Sequence, residues 1–202
     1  MRHILVSASV LLIAISTYGQ SDSARQPCTL KLSQAPAVRG VKLGMSVDDL
    51  LALFPGSSEI LSETLKAAEG YPNFGFTNFT VTPSRYSTKD RFAGIQSYYV
   101  RSFDRRIVGL NVTYYTFPIG ARWRNIDDLV QRFSDSLQLP KPKDWIKTET
   151  YPEEKLKCDG FEIAVSAAND HAVIGFNERS WEQTPKERLA AFEEDKRREF
   201  KP

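Results

Sequence analysis

The amino-acid sequence predicts an α+β fold: an antiparallel sheet with helices packed on one face, two tandem helix-then-strands repeats and a C-terminal helix. Two observations carry that prediction. Residues 46–54 and 125–133 resemble each other at an offset of 79, and each copy has the pattern of a helix start. After each copy come β-type segments whose connections are too short for the crossovers of a parallel sheet, so the strands are expected to pair antiparallel.

In chain order, residues 1–19 have the layout of a secretory signal peptide. Arg2 and His3 supply a basic start and residues 4–15 carry no charge. Ser16, Thr17 and Gly19 are the small residues before an expected cleavage between Gly19 and Gln20. The apolar run is shorter than the ~20 residues a bilayer span needs. An N-terminal segment, 20–38, follows and contains Cys28.

The first repeat is placed at 39–118. Ser46 is a good N-cap, and Asp48 and Asp49 then fall in the first helical turn, where the dipole favours carboxylates. Val47, Leu50, Leu51 and Phe54 recur at i, i+3, i+4 and i+7 and form one apolar face. A second short helix is expected over 59–68. Strands are expected at 74–81, 95–103 and 107–117, the last two joined as a hairpin through Asp104, Arg105 and Arg106. In the third strand Val108, Leu110, Val112 and Tyr114 alternate as the core face. Asn111, Thr113, Tyr115 and Phe117 then point the other way.

The second repeat is placed at 119–183. Asn125 caps it, Asp127 and Asp128 occupy the first turn, and Ile126, Leu129, Val130 and Phe133 repeat the apolar spacing. Pro140 and Pro142 break any counterpart of the second short helix. Strands are expected at 145–151, 156–167 and 171–177, with Asn169 and Asp170 as the last turn. The tail, 184–202, opens on Thr184-Pro185-Lys186-Glu187, a capping box with proline at the first helical position. Only Leu189, Phe192 and Phe200 are large and apolar there. A solvated helix is expected, laid against the body through a narrow stripe or projecting from it.

Without residues 1–19, 183 of the 202 residues remain, enough for one ordinary domain. Of the 27 basic residues only Arg2 lies in the signal, which leaves 26 against 25 acidic ones. That balance creates no field to attract nucleic acid or an anionic membrane. No second apolar run is long enough to insert into a membrane after signal removal. Cys28 and Cys158 form an even pair in a chain expected to meet an oxidising compartment, so a disulfide is expected between them.

Residues 41–55, Val-Lys-Leu-Gly-Met-Ser-Val-Asp-Asp-Leu-Leu-Ala-Leu-Phe-Pro, resemble the opening of a group of envelope proteins built on a helix-loop-helix followed by antiparallel strands. The group includes the β-lactamase-inhibitory proteins, with two tandem units, and the small lipoproteins of outer-membrane assembly, with one. The resemblance implies a non-enzymatic envelope protein that binds another protein. It carries no contact residue over to this chain, and the lipoprotein anchor is missing.

No residue pattern implies a cofactor or a metal. The serine-hydrolase elbow, the phosphate-binding loop, the dinucleotide glycine fingerprint and the zinc-protease helix are all absent from the sequence. The two aspartate pairs are accounted for by caps and dipoles. His171 is read as an exposed turn histidine rather than a general base. The acceptor patterns Asn78-Phe79-Thr80 and Asn111-Val112-Thr113 are of a length that arises by chance. The expected function is that of a secreted, non-enzymatic binding or structural protein of a bacterial envelope. Its partner would be another envelope or extracellular protein, and Tyr115 and Phe117 would form part of the docking surface. Two alternatives stay open. One is a secreted hydrolase whose carboxylate or histidine site is assembled from distant residues. The other is a secreted inhibitor of an extracellular enzyme.

Overall fold

A computed structural model describes residues 27–70, 73–115, 125–149, 152–167 and 171–199. The expected signal peptide, Phe117, the turn at Asn169 and Asp170, and Phe200 lie outside the described residues.

Seven strands form one antiparallel sheet: β1 (Phe76–Val81), β2 (Ile95–Phe103), β3 (Arg106–Tyr115), β4 (Ile146–Lys147), β5 (Glu153–Lys157), β6 (Phe161–Ala167) and β7 (His171–Glu178). Their order is β1-β2-β3-β7-β6-β5-β4. The last strands of the two halves, β3 and β7, pair in the middle, with Val112 opposite Ile174. The halves are thus arranged about this pair as by a two-fold axis, and they share one sheet.

Helices α1 (Val47–Ala52), α2 (Ser57–Ala67) and α3 (Ile126–Leu137) cover one face of it. Leu50 and Leu51 of α1, Leu65 of α2 and Val130 of α3 are buried in the same cluster as Tyr98, Val100, Leu110, Ile163 and Phe176. This is the meeting of a 3.6-residue stripe with a two-residue alternation. Both expected caps are formed. Ser46 Oγ accepts from the Asp49 N–H at 3.0 Å, and Asn125 Oδ1 from the Asp128 N–H at 2.9 Å. Ser46→Ala and Asn125→Ala are each expected to cost about 1 kcal/mol in urea unfolding. Unmoved midpoints in both variants would show that these bonds carry no weight.

The structure corrects several sequence expectations. The β2–β3 turn is Asp104 and Arg105 alone, both left-handed at φ 47° and 59°, and Arg106 already belongs to β3. A bulge follows: Arg101 stands opposite Gly109 but Ser102 opposite Ile107, so Val108 is the extra residue. Ile107, rather than the expected Val108, therefore joins Leu110 and Val112 in the core cluster. The single strand expected over 156–167 is a hairpin, β5 and β6, that turns at Cys158, Asp159 and Gly160. The strand expected over 145–151 shrinks to β4. Trp145 is buried there instead, its indole N–H donating to the Pro140 carbonyl at 3.1 Å. His171 begins β7 rather than sitting in a turn, and it is half-buried.

The N-terminal segment, expected apart from the repeats, belongs to the core. Ala35 and Val38 are buried with Val41 and Leu43. The Cys28–Cys158 disulfide is formed, with the Cα atoms 4.6 Å apart. Helix α4 (Gln183–Glu199) starts one residue before Thr184, which is therefore inside the first turn and not its cap. None of its residues is buried. It lies against the body through Arg188, bidentate to Asp104 at 2.8 and 2.7 Å, and through Phe192, whose ring centroid is 5.4 Å from that of Phe74. No described helix is long and apolar enough to cross a membrane.

Candidate functional site: the open face of the sheet

Alternation sends every second side chain of the sheet away from α1, α2 and α3. The register lines these residues up in rows. One row runs from Tyr99 through Asn111, Gly175 and Ala164 to Lys155 and Ile146. The next holds Ser97, Thr113, Val173, Ser166 and Glu153. Every residue in both rows is half-buried or exposed, in contrast to the helix-covered face.

Small residues occupy the middle because their neighbours lie flat over them. A Cβ at Gly109 would stand 2.4 Å from Arg101 Nε, and one at Gly175 would stand 2.8 Å from Asn111 Oδ1. Arg101 crosses Gly109 to donate to Asn177 Oδ1 at 2.9 Å. Trp181 donates to the same oxygen at 3.3 Å and stacks on Phe76, centroids 5.2 Å apart and planes 8° from parallel. These contacts pin one corner of the face. Beyond it the side chains reach solvent.

Five large apolar side chains are exposed among the described residues, and three of them, Tyr99, Tyr115 and Ile146, stand on this face. Tyr115, singled out by alternation in the sequence, is 47% exposed and lies opposite His171. Its expected companion Phe117 is outside the described residues. Tyr99 was not separable from Tyr98 in the sequence, because adjacent tyrosines satisfy either alternation. The structure turns Tyr98 inward, where its hydroxyl donates to the Val38 carbonyl at 3.4 Å and burial pushes its pKa well up. Arg101, Trp181 and Ile146 had no local signal.

A second polar group lies at the start of α3. Lys147 of β4 pairs with Asp127 and stands 3.8 Å from Glu154 Oε1. The Glu154 side chain is 1% exposed, and neither of its oxygens accepts a hydrogen bond. Burial first, and then the facing Asp127 carboxylate, push the Glu154 pKa from 4.5 to about 7, with Lys147 opposing. Asp127 moves down, held by Glu154 and Lys147, so the pair shares one proton that resides on Glu154. The sign for stability follows. The folded state keeps this proton between pH 4.5 and about 7 while the unfolded chain loses it. The associated stability is therefore full below the unfolded value and lost as pH rises through the folded one. Glu154→Gln should remove that slope and exceed the parent by about 2 kcal/mol near neutral and higher pH. Urea midpoints that track the parent at every pH would refute it.

The aspartates of the two repeats serve ion pairs: Asp48 with Arg105, and Asp128 with Arg132 at 3.1 Å. Among the described residues no three His, Cys, Asp or Glu side chains converge on one point. Comparison of the chain with known families, characterised proteins and solved structures finds no match, so the open face and the Glu154 group stand on their own geometry.

Proposed function

We propose that this is an exported, non-enzymatic binding protein of a bacterial envelope, and that it receives another protein on the open face of its sheet. The observation that carries this reading is that three of the five exposed large apolar side chains among the described residues, Tyr99, Tyr115 and Ile146, stand on the face that α1, α2 and α3 leave uncovered. Exposed apolar groups framed by polar ones mark protein contact surfaces, and tyrosine and arginine concentrate where such contacts are strongest. An open face supplies contact area and does not enclose a small substrate away from water, as catalysis asks. The expected export signal and the Cys28–Cys158 bond support an oxidising compartment. The resemblance of residues 41–55 to the β-lactamase-inhibitory-protein group points to the same kind of role.

Photo-crosslinking in the native envelope tests it. A benzophenone side chain placed at Tyr99 or Tyr115 should capture one and the same protein. Placed at Ile60, which is 68% exposed on α2, it should not. Equal capture from Ile60, or none from the two tyrosine positions, would overturn the proposal.

A further inference from the structure

We infer that the protein has a second binding site, a cleft at the end of the sheet between α2, β1 and α4. It takes a small molecule with an apolar middle, a hydrogen-bonding group at one end and a protonated amine at the other. This inference goes beyond the open-face reading and does not depend on it.

The cleft has a volume of about 370 Å³, within the range of small-ligand pockets. Leu65, Ala68 and Phe74 give it an apolar wall. Ser102, opposite Thr77 on the helix side of the sheet, lines it as well. Its residue is 1% exposed and its hydroxyl has no hydrogen-bond partner. Such a group costs free energy until something pairs with it, and a ligand's inner polar end would do so.

Two tight turns frame the cleft. Of the five non-glycine residues with positive φ among those described, Phe74, Asp104 and Arg105 all line it. A two-residue hairpin turn calls for the last two. Phe74 and Gly75, at φ 46° and 92°, are the central residues of a turn of the same kind, closed by the Phe76 N–H donating to the Asn73 carbonyl at 2.9 Å. Gly75 gives Asp104 a seat, since a Cβ there would lie 2.2 Å from the carboxylate.

The charges at the mouth choose the ligand's sign. Both guanidinium groups there are engaged, Arg188 with Asp104 and Arg105 with Asp48. Glu69 lines the cleft and makes no ion pair with a described residue. Among the lining residues the carboxylates of Glu69 and Asp104 balance the guanidiniums of Arg105 and Arg188; with Asp48, which holds Arg105 from outside the cleft, the carboxylates are one in excess. An anionic ligand would have to displace Asp104 or Asp48 from its arginine and strand another acid beside Glu69. A cation breaks nothing.

The test is a titration of the disulfide-bonded protein with aminohexanol, hexylamine and hydroxyhexanoate, followed by the amide NMR shifts of Ala68 and Phe74. Aminohexanol should bind about tenfold more tightly than hexylamine, the worth of one hydrogen bond, and tighter still than hydroxyhexanoate. Ser102→Ala, which deletes an unpaired hydroxyl and leaves the fold sound, should erase the first difference. Glu69→Gln, at an exposed position, should erase the second. No shift with any of the three compounds, or a ranking that both variants leave intact, would overturn the inference.

Discussion

The Cys28→Ser variant is expected to lose about 4–5 kcal/mol of unfolding free energy, and the parent in a reductant should behave alike. The bond joins residues 130 apart. Loop-closure entropy grows only with the logarithm of length, so even this loop yields about 5 kcal/mol on the chain-entropy model. That is a large share of the roughly 5–15 kcal/mol typical of a domain. The bond also lies where its loss spreads. Cys158 stands at the β5–β6 turn of the second half, and beside it the Asp159 N–H donates to the Leu30 carbonyl at 3.0 Å. Through this join the second half holds the N-terminal segment that delivers Ala35 and Val38 to the core. Equilibrium urea unfolding with and without reductant checks the expectation. Coincident curves would show that packing alone retains the segment.

What the sequence made legible was local. The caps at Ser46 and Asn125 are side chains acting three residues away, and they are visible in any window that contains them. The bounds of β2 follow from its aromatic and β-branched composition. The β5–β6 hairpin was hidden because apolar residues continue on both sides of its turn. Its signal was the Asp159-Gly160 pair, a strong hairpin dipeptide, with Gly160 at φ 83°. The pairing of β3 with β7 joins residues more than fifty positions apart, and no short-range pattern encodes it.

The sites divide in the same way. Tyr115 was legible because three alternating apolar residues before it define the inner face of β3. Glu154 was not, since Glu153, Glu154 and Lys155 read as a solvated charge run. Only the docking of α3 and Lys147 over β5 buries the middle one. The cleft beside Ser102 draws on α2, β1, the β2–β3 turn and α4, and no sequence window contains all four.

Phe54→Ala should cost about 3–5 kcal/mol, and the same change at Phe133 distinctly less, about 1–2 kcal/mol. The two residues hold the same position in the repeated segment, yet their surroundings differ. Phe54 is 0% exposed and meets Tyr86, Phe92 and Tyr98, with ring centroids 5.6, 4.6 and 5.9 Å away. Tyr86 and Phe92 come from the short helical turns between β1 and β2. After α3 the chain instead meets Pro140 and makes a single helical turn at Pro142–Asp144 before β4. Phe133 therefore stays partly buried, against Tyr114 at 5.3 Å. Truncation at Phe54 leaves a cavity among three rings, whereas at Phe133 solvent already reaches part of the space. Paired urea denaturation of the two variants decides it. Equal losses would mean that the repeats are energetically equivalent, and that the aromatic cluster adds nothing to the first.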